Sequence, residues 1–321
     1  MSTQALHYLN PWHHSQQTLS FQLSDKTLLK TNLSMLMCEL GLNNPPCDPA
    51  DISVLPSTDN DKKVDGFIAW GARINDQVKT LQVADGLIVY IPEQYNRFYT
   101  RLDQSFDEYK KSFKSKTRSG IQRKVNKFAK LGGGEIDFRV YTETEELQEF
   151  LTYATQLTQK TYQTKLLDAG LPEDEQYRRQ LLEMAAANKV RAFLLFKENR
   201  PVSYLLLDAV GDTLVYRYLG YDPEESKTSP GTVLHWLVLQ YLTDQDHFKY
   251  LDFTEGEGQQ KRTFGTESIY CANIYWLNKN IKNLLLVYSQ VMLNRASAAV
   301  GNALDAVGIK AKLKKILRGN S

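Results

Sequence analysis

The chain has little cysteine, no long apolar run, and one stretch with no negative charge. Cys38, Cys47 and Cys271 are an odd number, without CxxC spacing. That argues against a disulfide framework and against a structural zinc site. Among five histidines only His13 and His14 are adjacent, and nothing sets a third ligand beside them, so no metal is expected. No run of roughly 18 apolar residues occurs, so no membrane span is expected. The N-terminus has no basic segment leading into an apolar run, so no secretory signal is expected either. These absences together predict a reducing compartment, most simply the cytoplasm.

Acid is missing from Lys110 to Lys130, where nine bases stand: Lys110, Lys111, Lys114, Lys116, Arg118, Arg123, Lys124, Lys127 and Lys130. The net charge is only +2, which speaks against a general polyanion binder. The 321 residues, 42% apolar and 11% aromatic, suffice for a substantial core in two domains, or in one with extensions.

Residues 1–102 read as strand-rich. Leu19 to Leu23 alternates as a strand does, Leu28 to Leu40 has helical spacing ended by Gly41, and Asp85-Gly86 reads as a hairpin turn. A single helix is expected over 103–131, stopped by Gly132-Gly133-Gly134, with Ile121, Val125, Phe128 and Leu131 as its buried stripe. After a strand at 135–141 come helices at 144–162 and 173–188. Strands follow at 190–196, 202–209 and 213–219, then a helix from 231, a strand at 250–254 and another at 269–277. This order indicates an α+β protein. The chain is helical from Ile281, where Ile281, Leu284, Leu285, Tyr288, Val291 and Met292 form one stripe. At 309–318 a short amphipathic piece sets Ile309, Leu313, Ile316 and Leu317 among lysines. Such a piece can lie on an anionic membrane, dock on its own protein, or stay exposed.

Four features have chemical potential. Ser229-Pro230-Gly231 opens a helix; Pro costs little there, and the free first-turn N–H groups can seat a phosphate. The plain alternative is an ordinary capped helix. Asp252, Glu255, Glu257 and Lys261 cluster at and after a strand end. Asp252 or Glu255 could take a proton from an amine if burial raises its pKa. Equally, Asp252 could accept backbone N–H groups while Glu257 pairs with Lys261 or Arg262. In the strand Tyr216-Arg217-Tyr218, alternation places both tyrosines on one face, and Tyr218 could reprotonate a leaving thiolate. The displayed bases of the long helix suit phosphates, with Arg118 and Arg123 best able to bind them bidentately.

These residues resemble the GNAT acyltransferase superfamily, and most closely its CelD-type, cellulose-biosynthesis branch, a relative of the Fem peptidyltransferases. The pattern of that branch falls here on Ser229-Pro230-Gly231, Asp252-Phe253, Gly256-Glu257 and Lys261 with Phe264. The basic helix Ser115 to Lys124 is a second match, and the likeness spans 105–280. It implies a GNAT-like mixed sheet flanked by helices. A degenerate GNAT-like half would occupy 1–102, the acyltransferase domain 103–280, and a helical, basic extension 281–321.

The resemblance further implies N-acyl transfer from acyl-CoA, acetyl-CoA first, to an amine of polysaccharide or cell-envelope precursor metabolism. Leu219, Gly220 and Tyr221 would line the pantetheine arm. Gly231, Thr232 and Val233, with Lys227 and Ser229, would meet the pyrophosphate. Arg118, Arg123, Glu257 and Lys261 would contact substrate. Fem relatives use aminoacyl-tRNA, so tRNA is an alternative partner. A non-catalytic protein that binds a polyanion through the basic helix is a third reading. The expected location is cytoplasmic, at the inner face of a membrane if the 309–318 piece docks there.

Overall fold

The structure, a computed structural model, describes residues 8–23, 26–56, 64–165 and 170–306. The amphipathic piece at 309–318 lies outside the described residues. The chain begins with β1 (Tyr8–Leu23), β2 (Lys26–Leu40), β3 (Gly66–Arg73), β4 (Leu81–Ala84) and β5 (Leu87–Arg101). Next come α1 (Phe106–Lys111), α2 (Ser115–Leu131), β6 (Asp137–Tyr141), α3 (Thr144–Lys165) and α4 (Glu175–Ala186). Strands β7 (Val190–Lys197), β8 (Arg200–Val210) and β9 (Thr213–Tyr221) precede α5 (Pro230–Gln245) and β10 (Tyr250–Asp252). The last described elements are α6 (Gln259–Phe264), β11 (Glu267–Asn278) and α7 (Ile281–Ala306). Two compact units result. One comprises the chain up to Tyr95 and from Tyr270 onward, the other Asn96 to Ile269.

The first unit is built on the strand order β1-β2-β3-β11-β5, with β4 paired to β5. Asp85 and Gly86 take positive φ between β4 and β5, as the hairpin reading requires. The helix expected over Leu28–Leu40 is instead strand β2, antiparallel to β1 and parallel to β3. Leu33 and Met35 face one core cluster, and Cys38 and Leu40 another. With both faces covered, the polar alternation that marks a half-exposed strand is absent, and leucine spacing imitates a helix. The stripe expected on α7 also divides. Leu286 and Val287 are buried with Asn283, whereas Ile281, Leu285, Tyr288 and Met292 face outward. Burial pushes the Cys38 thiol up to about 12 and the Cys47 thiol up to about 11, so neither is a ready nucleophile.

The second unit has the order β5-β10-β9-β8-β7-β6. Its neighbours are antiparallel except β9 and β10, which are parallel and joined through α5. One core cluster joins α1, α2 and α5 to the sheet, and another joins α3 and α4. β7 divides its side chains between the two, with Phe193 and Leu195 in one and Ala192, Leu194 and Phe196 in the other. α5 is apolar nearly all round, burying Val233, Leu234, Trp236, Val238, Leu239 and Leu242.

The single helix expected over 103–131 is two. A capping box of Ser105 and Glu108 starts α1, and α2 starts after Lys114, whose ψ is 141°. Between them Phe113 turns inward, its ring edge-on to those of Trp236 and Phe264 at 5.7 and 6.5 Å. In α2, Ile121, Val125 and Phe128 are buried, but Leu131 is 42% exposed.

Candidate functional site

β9 and β10 run side by side for only three pairs, from Thr213↔Tyr250 to Val215↔Asp252. β9 continues to Tyr221, while β10 stops at Asp252. The two strands therefore part, and β9 keeps an edge from Tyr216 onward that β10 does not pair. The turn away after Asp252 is locally encoded: Thr254 has φ +60° and Gly256 +87°. Both are left-handed, a conformation uncommon for threonine and natural for glycine.

Asp252 fixes that turn. Its carboxylate accepts the Thr254 N–H at 2.8 Å and the Arg97 Nε–H at 3.0 Å, and a second guanidinium N–H reaches its other oxygen. Arg97, from β5, is 3% exposed and Asp252 0%. The carboxylate proposed as a base is thus held in a buried, bidentate ion pair. Glu257 is tied down as well. It accepts the backbone N–H and the side-chain amide of Asn96 at 2.9 and 3.1 Å, and its other oxygen pairs with Arg262. The Asn96 backbone N–H is the main reason its carboxyl lies below the usual range. Glu255 is exposed, and its carbonyl accepts from Lys261 Nζ.

Lys261, on α6, brings its ammonium to the end of β10, 3.3 Å from Thr254 Oγ1 and 5.8 Å from the centre of the Tyr216 ring. Desolvation pulls its pKa below the ordinary lysine range, and Arg97 adds to this; Glu255 and Asp252 oppose it. Beneath it lies an aromatic stack. The His235 ring is parallel to Phe264 at 4.9 Å and to Tyr216 at 5.6 Å, and Phe253 is 5.9 Å from Tyr216. Tyr216 and Phe253 directly follow the last β9–β10 pair, so their rings close the apex where the strands part. His235 Nδ1 meets the Gly231 carbonyl at 2.8 Å, and burial pulls its pKa down to about 4, so the ring is neutral. Sequence reasoning missed Arg97 and His235. An Arg set among aromatic residues of β5 was the signal for the first; the i+4 spacing of His235 from Gly231 was the signal for the second.

The bulge in β9 corrects the tyrosine reading. Leu206 faces Tyr218 and Leu207 faces Tyr216, leaving Arg217 as the extra residue. Tyr216 therefore packs with the α5 cluster. Tyr218 joins the α3–α4 cluster, its ring edge-on to Tyr177 at 6.0 Å. Arg217 pairs with Asp208 at 2.6 Å.

The start of α5 is shaped by Ser229, which is left-handed at φ 57° and closes a short 3₁₀ turn over Pro223–Thr228. The N–H groups of Thr232 and Val233 both turn back to the Ser229 carbonyl, at 3.0 and 3.2 Å. That leaves Gly231 as the first-turn amide not engaged by Ser229. A methyl group at Gly231 would sit 3.3 Å from Gln260 Nε2 and 3.8–3.9 Å from Leu219 and Tyr221, so this glycine faces both β9 and α6. Gly220 looks the other way, onto the Tyr204 ring. Val233 is wholly buried.

A cleft of about 680 Å³ opens at this helix start. α2 contributes Lys116, Arg123, Lys124 and Lys127, the α5 entry contributes Lys227, Ser229 and Thr232, and α6 contributes Gln259, Gln260 and Thr263. Five cations line it and no carboxylate does. Lys127 Nζ donates to the Lys227 carbonyl at 3.3 Å and links the two sides. Of the two arginines singled out, Arg123 lines both this cleft and a second groove beside α1, as Lys127 does, while Arg118 lines only the second, with Lys110, Lys111 and Lys130. The volume lies in the range of small-molecule sites. The lining is chemically matched to a phosphate-bearing ligand.

Residues 115–262 match the family model described as Acetyltransferase (GNAT) domain. No curated protein matches the chain. Among solved structures, FemX is similar with a TM-score of 0.50 at 10% identity, over 86% of this chain and 91% of that one. L-PGS from Bacillus licheniformis has a TM-score of 0.46 at 12% identity, over 70% and 72% of the two chains. A GCN5-related N-acetyltransferase from Kribbella flavida has 0.36 at 11%, over 77% and 82%. At such identities the FemX likeness speaks for the fold alone.

Proposed function

We propose that the chain is an acyltransferase of the GNAT kind, on the match of residues 115–262 to that domain, and that it moves a short acyl group, acetyl first, from acyl-CoA to an amine. The observation that carries this reading is the basic cleft at the start of α5 beside the part of β9 that lies beyond its pairing with β10. The cleft suits the phosphates of CoA, with Arg123, Lys124, Lys127 and Lys227 as counter-charges and Ser229 and Thr232 of the helix start on its wall. An extended pantetheine arm would hydrogen-bond along β9 past Leu219 and Tyr221, as an added strand does. The thioester would then reach the parting of the strands, where Tyr216 and Phe253 leave little depth for a long chain.

The amine nitrogen attacks the thioester carbonyl, a C–N bond forms and the C–S bond breaks. The Lys261 ammonium lies where negative charge develops, first on the carbonyl oxygen and then on sulfur, and can protonate the thiolate. Asp252 takes no part as a base in this scheme. Glu255, exposed at the rim, attracts the incoming ammonium, whose proton passes to solvent before attack. An amino sugar or another envelope-precursor amine is the acceptor class that the family resemblance suggests.

The second basic groove, of about 1060 Å³ with Arg118, favours one further reading: charged tRNA as donor, which needs more cationic surface than CoA. Thermal melting separates the two. Acetyl-CoA is expected to raise the melting temperature, with a stabilisation of about 2.7 kcal/mol at a hundredfold excess over Kd. A shift with aminoacyl-tRNA and none with CoA esters would replace the first reading by the second. No shift with either would remove both.

A further inference from the structure

The outward face of α7 is an apolar strip without a partner among the described residues. Ile281 is 78% exposed, Leu285 65%, Tyr288 56% and Met292 65%. Their spacing of four, three and four places them on one side of the helix. Only two other large apolar side chains among the described residues are comparably exposed, Val83 and Leu131. The opposite side of α7 is occupied, with Leu286 and Val287 packed against Leu33, Met35 and Leu277.

The surrounding charge has one sign. From Ser268 to Leu304 there is no acid, while Lys279, Lys282 and Arg295 are present. Over 268–321 the sequence holds eight bases and one acid, Asp305. Lys282 leans on Asp65 at 3.2 Å yet remains 59% exposed.

We propose that this face of α7, residues 281–295, docks on an anionic lipid surface and lies in the plane of the membrane. An exposed apolar strip beside cationic side chains is the composition of interfacial helices. The Tyr288 ring, apolar in body and polar at its tip, suits the headgroup level. No helix among the described residues is long and apolar enough to cross a membrane, so α7 lies on the surface. A second copy of the chain fits this face less well, because pairing α7 with itself would bring two sets of bases together without acids to offset them.

Vesicle flotation tests this with the whole protein. Wild type is expected to float with phosphatidylcholine vesicles containing phosphatidylglycerol, to be released by salt, and to stay behind with phosphatidylcholine alone. The double variant Leu285→Asn, Met292→Asn alters only exposed positions. It should melt as wild type does and bind about tenfold less or weaker. Three results would overturn the proposal: no flotation of wild type with phosphatidylglycerol vesicles, equal flotation of the variant, or a wild-type dimer in sedimentation equilibrium that the variant dissociates.

Discussion

Replacing Asp252 by Asn is expected to cost about 3–5 kcal/mol of stability, because it leaves the Arg97 guanidinium buried without a counter-charge. Arg97 and Asp252 are 3% and 0% exposed, so water cannot take over the lost role. The Asn side chain can still accept the Thr254 N–H, so the loss falls on the ion pair. At about 2–4 °C per kcal/mol, the melting temperature should drop by roughly 10 °C. Removing both charges with Arg97→Met and Asp252→Leu should recover much of the loss, since an apolar pair of similar volume often replaces a buried ion pair at little cost. Urea titration of the single and double variants checks this. A general base would behave otherwise: Asp252→Asn would melt like wild type and lose turnover alone, and that result would return Asp252 to the chemistry.

Lys261→Met is expected to lower kcat by about 10²–10³-fold, the usual cost of losing one preorganised partner of a developing oxyanion. KM for the acyl-CoA should change little, because Lys261 does not line the basic cleft. Its pH behaviour gives a second readout. Desolvation lowers the Lys261 pKa, so the active ammonium form is lost as pH rises through a value below that of ordinary lysine. Wild-type turnover should therefore fall on the basic side earlier than a free lysine would dictate, and the Met variant should lack that limb. Release of free CoA, with water as the fallback acceptor, suffices as an assay. Unchanged kcat would show that Lys261 merely braces the turn through Thr254 and Glu255.

Much of this site was legible where the signal was local. Ser229-Pro230-Gly231 marks a helix start by its own backbone chemistry, and the bases of α2 could be counted before their partners were known. Asp85-Gly86 gave its hairpin for the same reason. What was not legible depends on distant partners. The Arg97–Asp252 pair joins positions 155 residues apart, and it holds a candidate base in a buried ion pair. The β9 bulge at Arg217 arises from pairing with β8, so strict alternation put Tyr218 on the wrong face. β2 looked helical because both its faces are buried, a fact about its neighbours rather than its own sequence. The basic helix was read as one displayed surface, yet its break at Ser112–Lys114 and its packing spread the bases over two grooves that share Arg123 and Lys127.

The central claim is that the cleft at the start of α5 seats the phosphates of the donor, and calorimetric titration of CoA into wild type and Thr232→Asp tests it most directly. Thr232 lines the cleft and is only partly buried, and aspartate suits the first turn of a helix, so the variant should fold. It places a carboxylate where the phosphates would lie. The expected result is one CoA bound per wild-type chain, weakened by salt, and binding at least about a hundredfold weaker in the variant at an unchanged melting temperature. Equal affinity in the two proteins, or no CoA binding by wild type, would contradict the account.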